Sequence, residues 1–548
     1  MSPALGKAGT HHKPEPGQET MTQDTHHTAV AWPCMGLCLQ TIRNLGGLLA
    51  IGVVLSACGG QPEAADGATE VDPTSSETTT SAHDPDDQGE QETTPEKEAE
   101  VAAADRDDSP SGLAETPDRT PMEIVTSNCA SCHTGRGPGT SHLRLETIGD
   151  LLDNTDITVP ALESGFMPPW PASNHGVAFR DSFDIRPSER DALIQWLGSP
   201  EATAQADKPV VTSVPVRRLS DPDLVVTPIG GYDGTAYQPD EYRCFIYDPE
   251  LTTARWLTAY EFVPDQTEIV HHAIGYLASA DMRDRANELD AQHPDQGGWP
   301  CFGGAGIGGN EIFLGWAPGQ GPTYLPEGSG MPLEPGDFLV VQVHYHFEVD
   351  APTDQSTLQL QFAPPGDDNL DTVRVRQFAA PAEIPCGEDE EGPLCDRATA
   401  KEAAIQKYGT RGVLADQLLF LCGQSLTELA TLTDGVASSS CDLPVRARGT
   451  IVSVLGHQHE IGKSVRLTLN PDTTDEQILL DIPDWRFEWQ LSYYLEDEIA
   501  VKTDDVLRLE CSWDRARRDP TLEPAYVLWA DGTDDEMCFA TMAVREAD

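Results

Sequence analysis

One stretch of the sequence decides the fold, Ile269-Val270-His271-His272-Ala273-Ile274-Gly275-Tyr276-Leu277. It is apolar and rich in β-branched residues, which predicts a β-strand, and it carries two adjacent histidines. Side chains on a strand alternate between its two faces, so His271 and His272 point apart on a regular strand. Both can reach one metal ion only at a bulge, a turn or a strand end.

Two further histidine pairs lie in strand-like segments. His457 and His459 are two residues apart, so on a strand their imidazoles project from the same face and can bind one metal ion together. His344 and His346 have the same spacing. Imidazole groups without a thiolate suit copper or zinc as the metal.

Met537 offers a thioether, which favours copper over zinc. Alternation places Met537 and Cys538 on opposite faces of a strand, so the methionine can meet a metal while the cysteine forms a disulfide behind it. Each feature alone has a structural alternative, because a methionine is by default a core residue and a histidine pair in a sheet is as often structural as ligating. Their combination favours metal sites.

Composition bounds the domain count and the partners. The 548 residues suffice for three domains plus tails, at about 150 residues per domain. The 35 Lys and Arg residues face 91 Asp and Glu residues, a net charge of -56, so Coulomb repulsion disfavours nucleic acid or an anionic lipid surface as a partner. Thirteen cysteines indicate an oxidising compartment, where disulfides and cofactor attachments persist.

Residues 1–58 predict a leader with a lipoprotein signal. The apolar run at 48–55 is too short to span a bilayer and has the length of a signal peptide's hydrophobic part. The box Leu55-Ser56-Ala57-Cys58 resembles the bacterial lipoprotein processing site, in which the cysteine becomes lipidated. This predicts an exported lipoprotein, periplasmic or on the cell surface, that is anchored to the outer membrane only by the lipid on Cys58. Residues 59–119 are acidic and lack aromatic residues, which predicts a disordered linker.

Residues 120–200 predict a small all-α domain that carries a c-type haem. Cys129, Cys132 and His133 form the Cys-x-x-Cys-His pattern, in which two thioethers hold the haem and the histidine is an axial ligand. The alternatives are a redox dithiol, which needs no histidine at this position, and a zinc site, which needs a second ligand pair nearby.

Two later features complete this predicted cytochrome c domain. Met167 stands just ahead of two prolines, which exclude helix, and is the predicted sixth haem ligand. A stretch with helical spacing, with Ser188 as its N-cap, closes the domain near Leu197.

From residue 216 onward the sequence predicts antiparallel β-sandwiches. Short β-branched runs alternate with Gly, Pro and Asp, and the total length exceeds one sandwich. We expect one sandwich at 216–370 and a second at 371–548, with the break near 365 to 380. The stretch near 399–432 has helical character and is the predicted insertion in the second sandwich.

An ordered set of motifs extends from about Tyr242 to Val544. It consists of Cys244, Val270-His271-His272, residues 297–301, Gly315-Trp316-Ala317-Pro318, Tyr324-Leu325-Pro326-Glu327-Gly328, Val341-Gln342-Val343-His344-Tyr345, His457-Gln458-His459, Gly462, Asp505-Val506-Leu507, Cys511 and Asp535-Glu536-Met537-Cys538. In these motifs the sequence resembles the copper type II, ascorbate-dependent monooxygenases, the family of peptidylglycine alpha-hydroxylating monooxygenase and dopamine beta-hydroxylase.

The resemblance implies two jelly-roll-like β-sandwiches that each hold one copper ion and face each other across a cleft. The implied ligands of the electron-transfer copper are His271, His272 and His344. Those of the catalytic, oxygen-binding copper are His457, His459 and Met537. Gln342 lies on the strand face of His344 and is a candidate partner behind that ligand, whereas His346 is taken as structural.

The resemblance also implies disulfides between Cys244 and Cys301 and between Cys511 and Cys538. Four further cysteines lie in the divergent middle of the chain and allow three pairings, among which the sequence does not choose: Cys386, Cys395, Cys422 and Cys441.

The implied reaction is hydroxylation of a C–H bond of a small organic substrate with O2, which consumes two further electrons. An ascorbate-like reductant or a redox protein would donate them, and we expect the fused haem to pass them to the first copper by docking at His271 and His272. Peptide-hydroxylating members carry an arginine and a tyrosine where this chain has Leu455 and Thr541, so a neutral or apolar substrate fits better. The alternative is a non-catalytic electron-transfer protein with copper and haem.

Overall fold

The computed structural model describes residues 118–547 except 136, 212–217, 233–239, 302–303, 309–310, 347–351, 368 and 531. The predicted leader, the predicted lipidation site Cys58 and nearly all of the predicted acidic linker lie outside the described residues. No helix in the described part is long and apolar enough to cross a membrane.

The N-terminal described region is helical. Its helices are α1 (Pro121–Ile124), α2 (Ala130–His133), α3 (Ile148–Asp153), α4 (Thr155–Glu163), α5 (Pro187–Leu197) and α6 (Pro200–Thr203). Buried apolar side chains from these helices, such as Ile124, Ile148, Leu193 and Trp196, form a core of their own. We call residues 118–210 the helical domain.

Helix α5 begins two residues earlier than its predicted N-cap implies. Pro187 occupies its first position, where the fixed φ of proline suits a helix and the missing N–H costs no hydrogen bond. Arg186 is therefore the N-cap residue, and its backbone N–H donates to Glu189. The predicted N-cap, Ser188, lies inside the first turn, where its buried hydroxyl has no hydrogen-bond partner among the described residues.

A buried carboxylate holds the helical domain together. Glu189 is 1% exposed and accepts hydrogen bonds from the guanidinium groups of Arg119 at 2.8 Å and Arg186 at 3.0 Å. Arg119 also donates to the side chain of Asn128, the residue before Cys129, at 2.8 Å. The hydrogen bonds to Arg119 hold the pKa of Glu189 well below its usual range despite burial.

The first β-region contains two sheets around one core. Its elements are β1 (Leu224–Val226), β2 (Asp240–Tyr247), β3 (Arg255–Val263), β4 (Val270–Ala278), α7 (Arg283–Asp290), β5 (Trp299–Pro300), β6 (Glu311–Trp316), β7 (Thr323–Tyr324), β8 (Ser329–Leu333), β9 (Phe338–His346) and β10 (Thr357–Phe362). One sheet has the order β5-β2-β9-β4-β6, and the other begins β1-β10-β3-β8, with β7 on β3. Side chains from both sheets, such as Phe245, Phe262, Val341 and Leu358, pack in the core between them. We call this region the first sandwich.

The second β-region has the same layered form. Its elements are β11 (Asp371–Ala380), β12 (Glu383–Ile384), α8 (Arg397–Tyr408), α9 (Leu414–Cys422), α10 (Leu426–Leu429), β13 (Val436–Pro444), β14 (Gly449–His457), β15 (Gly462–Leu469), β16 (Gln477–Ile482), β17 (Tyr493–Val501), β18 (Val506–Asp514), β19 (Val527–Leu528) and β20 (Cys538–Glu546). The path β11-β20-β14-β17 forms one layer, and β13-β18-β15-β16 forms the other. We call this region the second sandwich; the predicted helical stretch near 399–432 contains most of α8 and all of α9 and α10.

The two sandwiches share one continuous sheet. Strands β8 and β11 pair in parallel over two residue pairs, Asp371 with Ser329 and Thr372 with Gly330. All other pairings between the described strands are antiparallel. The chain thus passes from one sandwich to the other inside the range 365 to 380, and the short parallel contact holds the two halves side by side.

Four disulfides stabilise the β-regions. Cys244 is bonded to Cys301 and Cys511 to Cys538, the two pairs that the resemblance implies. The structure also resolves the open pairing, since Cys386 is bonded to Cys395 and Cys422 to Cys441.

The Glu189→Gln substitution tests the buried carboxylate. We expect it to lower the free energy of unfolding by about 2 kcal/mol at neutral pH, the size of a hydrogen bond to a charged group. Because the pKa of Glu189 is lower in the folded than in the unfolded chain, its contribution is fully present above the unfolded value of about 4.3 and is lost as the pH falls further. Denaturant unfolding at neutral and acid pH measures both effects, with exposed Glu163→Gln as the control. Equal stability of the two variants at neutral pH would contradict this role.

Candidate metal centres

The first histidine cluster forms at an irregularity in strand β4. Its pairing with β9 shifts between Val270 and His272, so His271 lies in a β-bulge while His272 pairs with His344. A bulge inserts one extra residue and changes the direction of the side chains around it. The adjacent histidines, which would point apart on a regular strand, therefore converge on one point.

Three ring nitrogens meet at this point. The Nδ1 atom of His271 lies 3.3 Å from that of His272 and 3.2 Å from that of His344, and the third separation is 3.2 Å. Three nitrogens that bind one tetrahedral metal ion at about 2.0 to 2.1 Å are separated by about 3.3 to 3.4 Å. The triangle therefore fits a single metal ion without rearrangement of the backbone.

Burial keeps this cluster in the form that binds metal. His344 and His272 are buried, and the ring of Tyr242 stacks on His344 with its centroid 4.1 Å away. Burial, followed by the neighbouring histidines, lowers the pKa of His272 well below its ordinary value. A neutral imidazole is the ligand that a metal requires.

Two neighbouring residues lie outside the triangle. The ring of His346 is 6.1 Å from that of His271 and takes no part in the close contacts between nitrogens. Gln342, predicted to support His344, donates its amide to the carbonyl of Cys301. It thereby connects β9 to the loop of the Cys244–Cys301 disulfide.

The second cluster lies where strand β14 ends. His457 is the last residue of the strand and His459 lies beyond it, yet their ring centroids are only 5.1 Å apart. Strand alternation, the basis of the prediction, therefore does not account for their approach. The turn after β14 is held instead by the carboxylate of Glu536, which is fully buried.

Glu536 fixes four groups around this cluster. Its carboxylate accepts hydrogen bonds from the backbone N–H groups of His459 and Ile461, both at 2.9 Å, and of Met537 at 3.1 Å. The indole of Trp513 donates a fourth at 3.0 Å. Burial raises the pKa of Glu536 to about 8, against the effect of these donors. One side chain thus sets the relative position of His459 and Met537.

Hydrogen bonds also fix which ring nitrogens face the cluster centre. His459 donates from Nδ1 to the carbonyl of Asp535 at 3.2 Å, and His457 donates from Nδ1 to Oε1 of Gln490 at 2.9 Å. The amide nitrogen of Gln490 donates to the carbonyl of Phe487 at 2.7 Å, which orients its oxygen towards His457. Both histidines therefore present Nε2 as the free ligand atom.

Both histidines of the second cluster are neutral at physiological pH. Burial lowers the pKa of His457 to about 4, and burial together with His457 lowers that of His459 to about 3. Met537 is half-buried beside them and adds a thioether. Two neutral imidazoles and a thioether form a donor set that suits copper, particularly in its reduced state.

One cavity of about 450 Å³ joins the two clusters. Its wall includes His272 from the first cluster and His457, His459 and Met537 from the second. No Asp, Glu, Lys or Arg side chain occurs among its described lining residues. The ring of Phe487 lies between the clusters, with its centroid 5.8 Å from that of His271 and 6.5 Å from that of His459.

The helical domain contains the predicted haem-binding residues. Cys129 and Cys132 are free of disulfides and half-buried, one on each side of the start of α2, and His133 ends that helix. His133 donates from Nδ1 to the carbonyl of Leu143 at 2.7 Å, which leaves Nε2 for an axial bond. Met167 lies half-buried in the loop after α4.

In the described part of the chain the helical domain contacts the second sandwich, and the expected docking at His271 and His272 remains a prediction. Phe179 forms a backbone bridge with Leu495, and Trp170 packs edge-on against Tyr493 with ring centroids 5.2 Å apart. Residues that follow α4 form backbone hydrogen bonds with the edge strands β16 and β17. The sequence pattern of the histidine strands does not predict this contact.

These features define a β-rich protein with one cavity that contacts two candidate metal centres. Residues 427–543 match the family described as copper type II ascorbate-dependent monooxygenase, C-terminal domain. The matched part contains His457, His459 and Met537. It supports this family for the second sandwich, and with it a copper-dependent monooxygenase, which is an oxidoreductase.

Other comparisons add no further assignment. No curated protein gives a significant match to the sequence. Among solved structures, a Paenibacillus xanthan lyase matches at 10% identity and a TM-score of 0.14, over 57% of this chain and 23% of the lyase. Oxalate decarboxylase from Bacillus subtilis matches at 10% identity and a TM-score of 0.12, over 69% of this chain and 86% of the decarboxylase. An 11S globulin from Wrightia tinctoria matches at 9% identity and a TM-score of 0.12, over 59% and 82%.

Three residues of the site were not identified from the sequence. Tyr242 faces His344 across the β2–β9 pair, so a correct strand pairing would have identified it. Phe487 and Gln490 lie in a loop that shares no periodic pattern with the histidines, and Gln490 is 33 residues from its partner His457. Phe487 and Gln490 reach the site only through the tertiary fold, so no local pattern could have identified them.

The Gln490→Leu substitution tests the hydrogen bond that orients His457. We expect copper binding at the second centre to weaken by roughly 10- to 100-fold, the usual effect of losing a partner behind a metal ligand. Competition titration with a copper chelator measures the affinity, and exposed Gln477→Leu is the control. Unchanged copper affinity in Gln490→Leu would rule out this role.

Proposed function

We propose that this protein is a monooxygenase that hydroxylates a C–H bond of a small, neutral organic substrate with O2, using two copper ions. The observation that carries this proposal is the single cavity whose wall contains ligands of both candidate centres. When bound, copper would supply oxygen activation and electrons at this cavity. His271, His272 and His344 would hold one ion, and His457, His459 and Met537 the other.

The residues of the chain fulfil three tasks in this reaction. The hydrogen bonds from His457 to Gln490 and from His459 to Asp535 keep both Nε2 atoms directed at the cavity. Glu536 fixes the backbone on either side of them. Phe487 contributes an apolar ring to the cavity wall between the clusters.

The cavity wall favours a neutral substrate. A buried carboxylate or ammonium group needs a partner of opposite charge, and the described lining residues offer none. Leu455 and Thr541, which stand where the peptide-hydroxylating relatives have an arginine and a tyrosine, both line the cavity. A cavity of about 450 Å³ is within the usual range for a small organic molecule.

The helical domain would supply the electrons through a c-type haem. Support comes from the pair of free cysteines beside His133 and from the Nδ1 hydrogen bond that leaves Nε2 of His133 for iron. Met167 would be the second axial ligand, and His/Met ligation raises the haem potential, which suits electron transfer. An external reductant, ascorbate-like or a redox protein, would reduce the haem.

Labelled oxygen tests the proposed reaction. Reduced, copper-loaded protein is mixed with 18O2 and a panel of neutral and carboxylated organic compounds, and products are analysed by mass spectrometry. We expect one 18O atom in the hydroxylated product of a neutral compound, and no product from His457→Ala, which keeps the first centre and the helical domain. Electron exchange between haem and copper without any labelled product would instead indicate a non-catalytic electron carrier.

We also propose that the protein is exported and anchored by lipid at Cys58. The four disulfides of the β-regions are consistent with an oxidising compartment. Cys58→Ala should move the protein from the membrane fraction to the soluble fraction after cell disruption, whereas Cys38→Ala in the same leader should not. A Cys58→Ala protein that stays in the membrane fraction would contradict the anchor.

A further inference from the structure

One loop of the second sandwich contacts the helical domain and both histidine clusters. It connects β16 to β17, and we call residues 484–490 the connecting segment. Its side chains contact two different parts of the molecule. Arg486 and Trp489 reach the helical domain, whereas Phe487 and Gln490 reach the histidines.

The contact with the helical domain lies next to the proposed haem ligand Met167. The indole of Trp489 donates to the carbonyl of Phe166 at 3.1 Å, and the two rings are 5.3 Å apart. Arg486 donates to the carbonyl of Ser164 at 2.9 Å. Since Phe166 directly precedes Met167, the connecting segment touches the loop that would carry the sixth ligand of the iron.

The connecting segment also contacts His457, a proposed ligand of the second centre. Gln490 follows Trp489 in the chain and accepts the hydrogen bond from His457 at 2.9 Å. A continuous path of covalent and hydrogen bonds therefore leads from Phe166 through Trp489 and Gln490 to His457. The contact with the first cluster is a packing contact, in which Phe487 lies against the rings of His271 and His344.

Backbone hydrogen bonds fix the helical domain on both strands that flank the connecting segment. On β16, the N–H groups of Ser173 and Val177 donate to the carbonyls of Asp481 at 2.7 Å and Ile478 at 3.1 Å. On the β17 side, Arg180 donates to the carbonyl of Tyr494 at 2.8 Å. The domain is thus held as part of the sheet, in a defined position relative to Trp489.

The first sandwich also comes close to the predicted haem attachment. A methyl group added to Gly319 would lie 3.9 Å from the sulfur of Cys132. Gly319 follows Trp316, which pairs with Ala273 next to His272. The helical domain therefore comes close to the first sandwich as well as contacting the second.

From this geometry we infer that Trp489 and Gln490 form a direct route for electrons from the haem to the second copper centre, which does not pass through the first. The inference rests on the proposed function. In this step one electron leaves ferrous haem, which becomes ferric, and reduces Cu(II) at the second centre to Cu(I), with no bond formed or broken.

The first experiment removes the first centre. In the copper-loaded His344→Ala holoprotein under anaerobic conditions, the haem is photoreduced by a flash and its absorbance is followed in time. We expect the haem to be reoxidised while the remaining Cu(II) signal in the electron paramagnetic resonance spectrum disappears. Haem that stays reduced in His344→Ala, although the wild-type protein transfers electrons, would overturn the direct route and leave the proposed function intact.

The second experiment removes the hydrogen bond of Trp489. Trp489→Phe, in the His344→Ala background, keeps the aromatic contact with Phe166 but lacks the indole donor, so we expect slower haem reoxidation with unchanged copper content, Cu(II) spectrum and haem spectrum. Glu488→Gln, exposed in the same segment, is the matched control and should keep the parent rate. Equal rates in Trp489→Phe and the control would overturn the route. Absence of haem reoxidation in the wild-type protein would overturn both the route and the proposed electron supply.

Discussion

The convergence of three ring nitrogens, two of them from buried histidines, is the constraint on which the first centre depends. The Nδ1 atoms of His271, His272 and His344 lie 3.2 to 3.3 Å from one another. The β-bulge at His271 brings the adjacent histidines together, and the ring of Tyr242 stacks on His344.

The second centre is held by a buried carboxylate and not by a β-bulge. Its ligands come from the end of β14 and the start of β20, and the buried carboxylate of Glu536 connects the backbone of both. Gln490 then brings in the loop before β17, which also contacts the helical domain through Trp489. Packing of the helical domain and the geometry of His457 are therefore linked through one short segment.

Both candidate centres contribute residues to the wall of one cavity. Its wall combines ligands from both sandwiches, and the short parallel pairing of β8 with β11 holds the sandwiches side by side. The described lining residues carry no Asp, Glu, Lys or Arg side chain, which supports the proposed neutral substrate. Specificity would then follow from the shape and the few polar groups of the wall.

The sequence was sufficient for features that depend on local pattern. Strand composition, the helical stretch near 399–432 and the spacing of His457 and His459 are of this kind, as is the irregularity that adjacent histidines require. Features that depend on long-range packing were not predictable. Strand alternation does not explain how His459 meets His457, because the strand ends between them and Glu536 holds the turn. The docking of the helical domain on β16 and β17 likewise depends on which strand edges remain open after folding.

The most direct test of the central claim is the metal content of the purified protein, combined with its absorption spectrum. We expect two copper ions per chain and one low-spin c-type haem, with one copper lost in His344→Ala and the other in His459→Ala. Zinc in these positions, or a protein that binds no metal when offered copper, would contradict it.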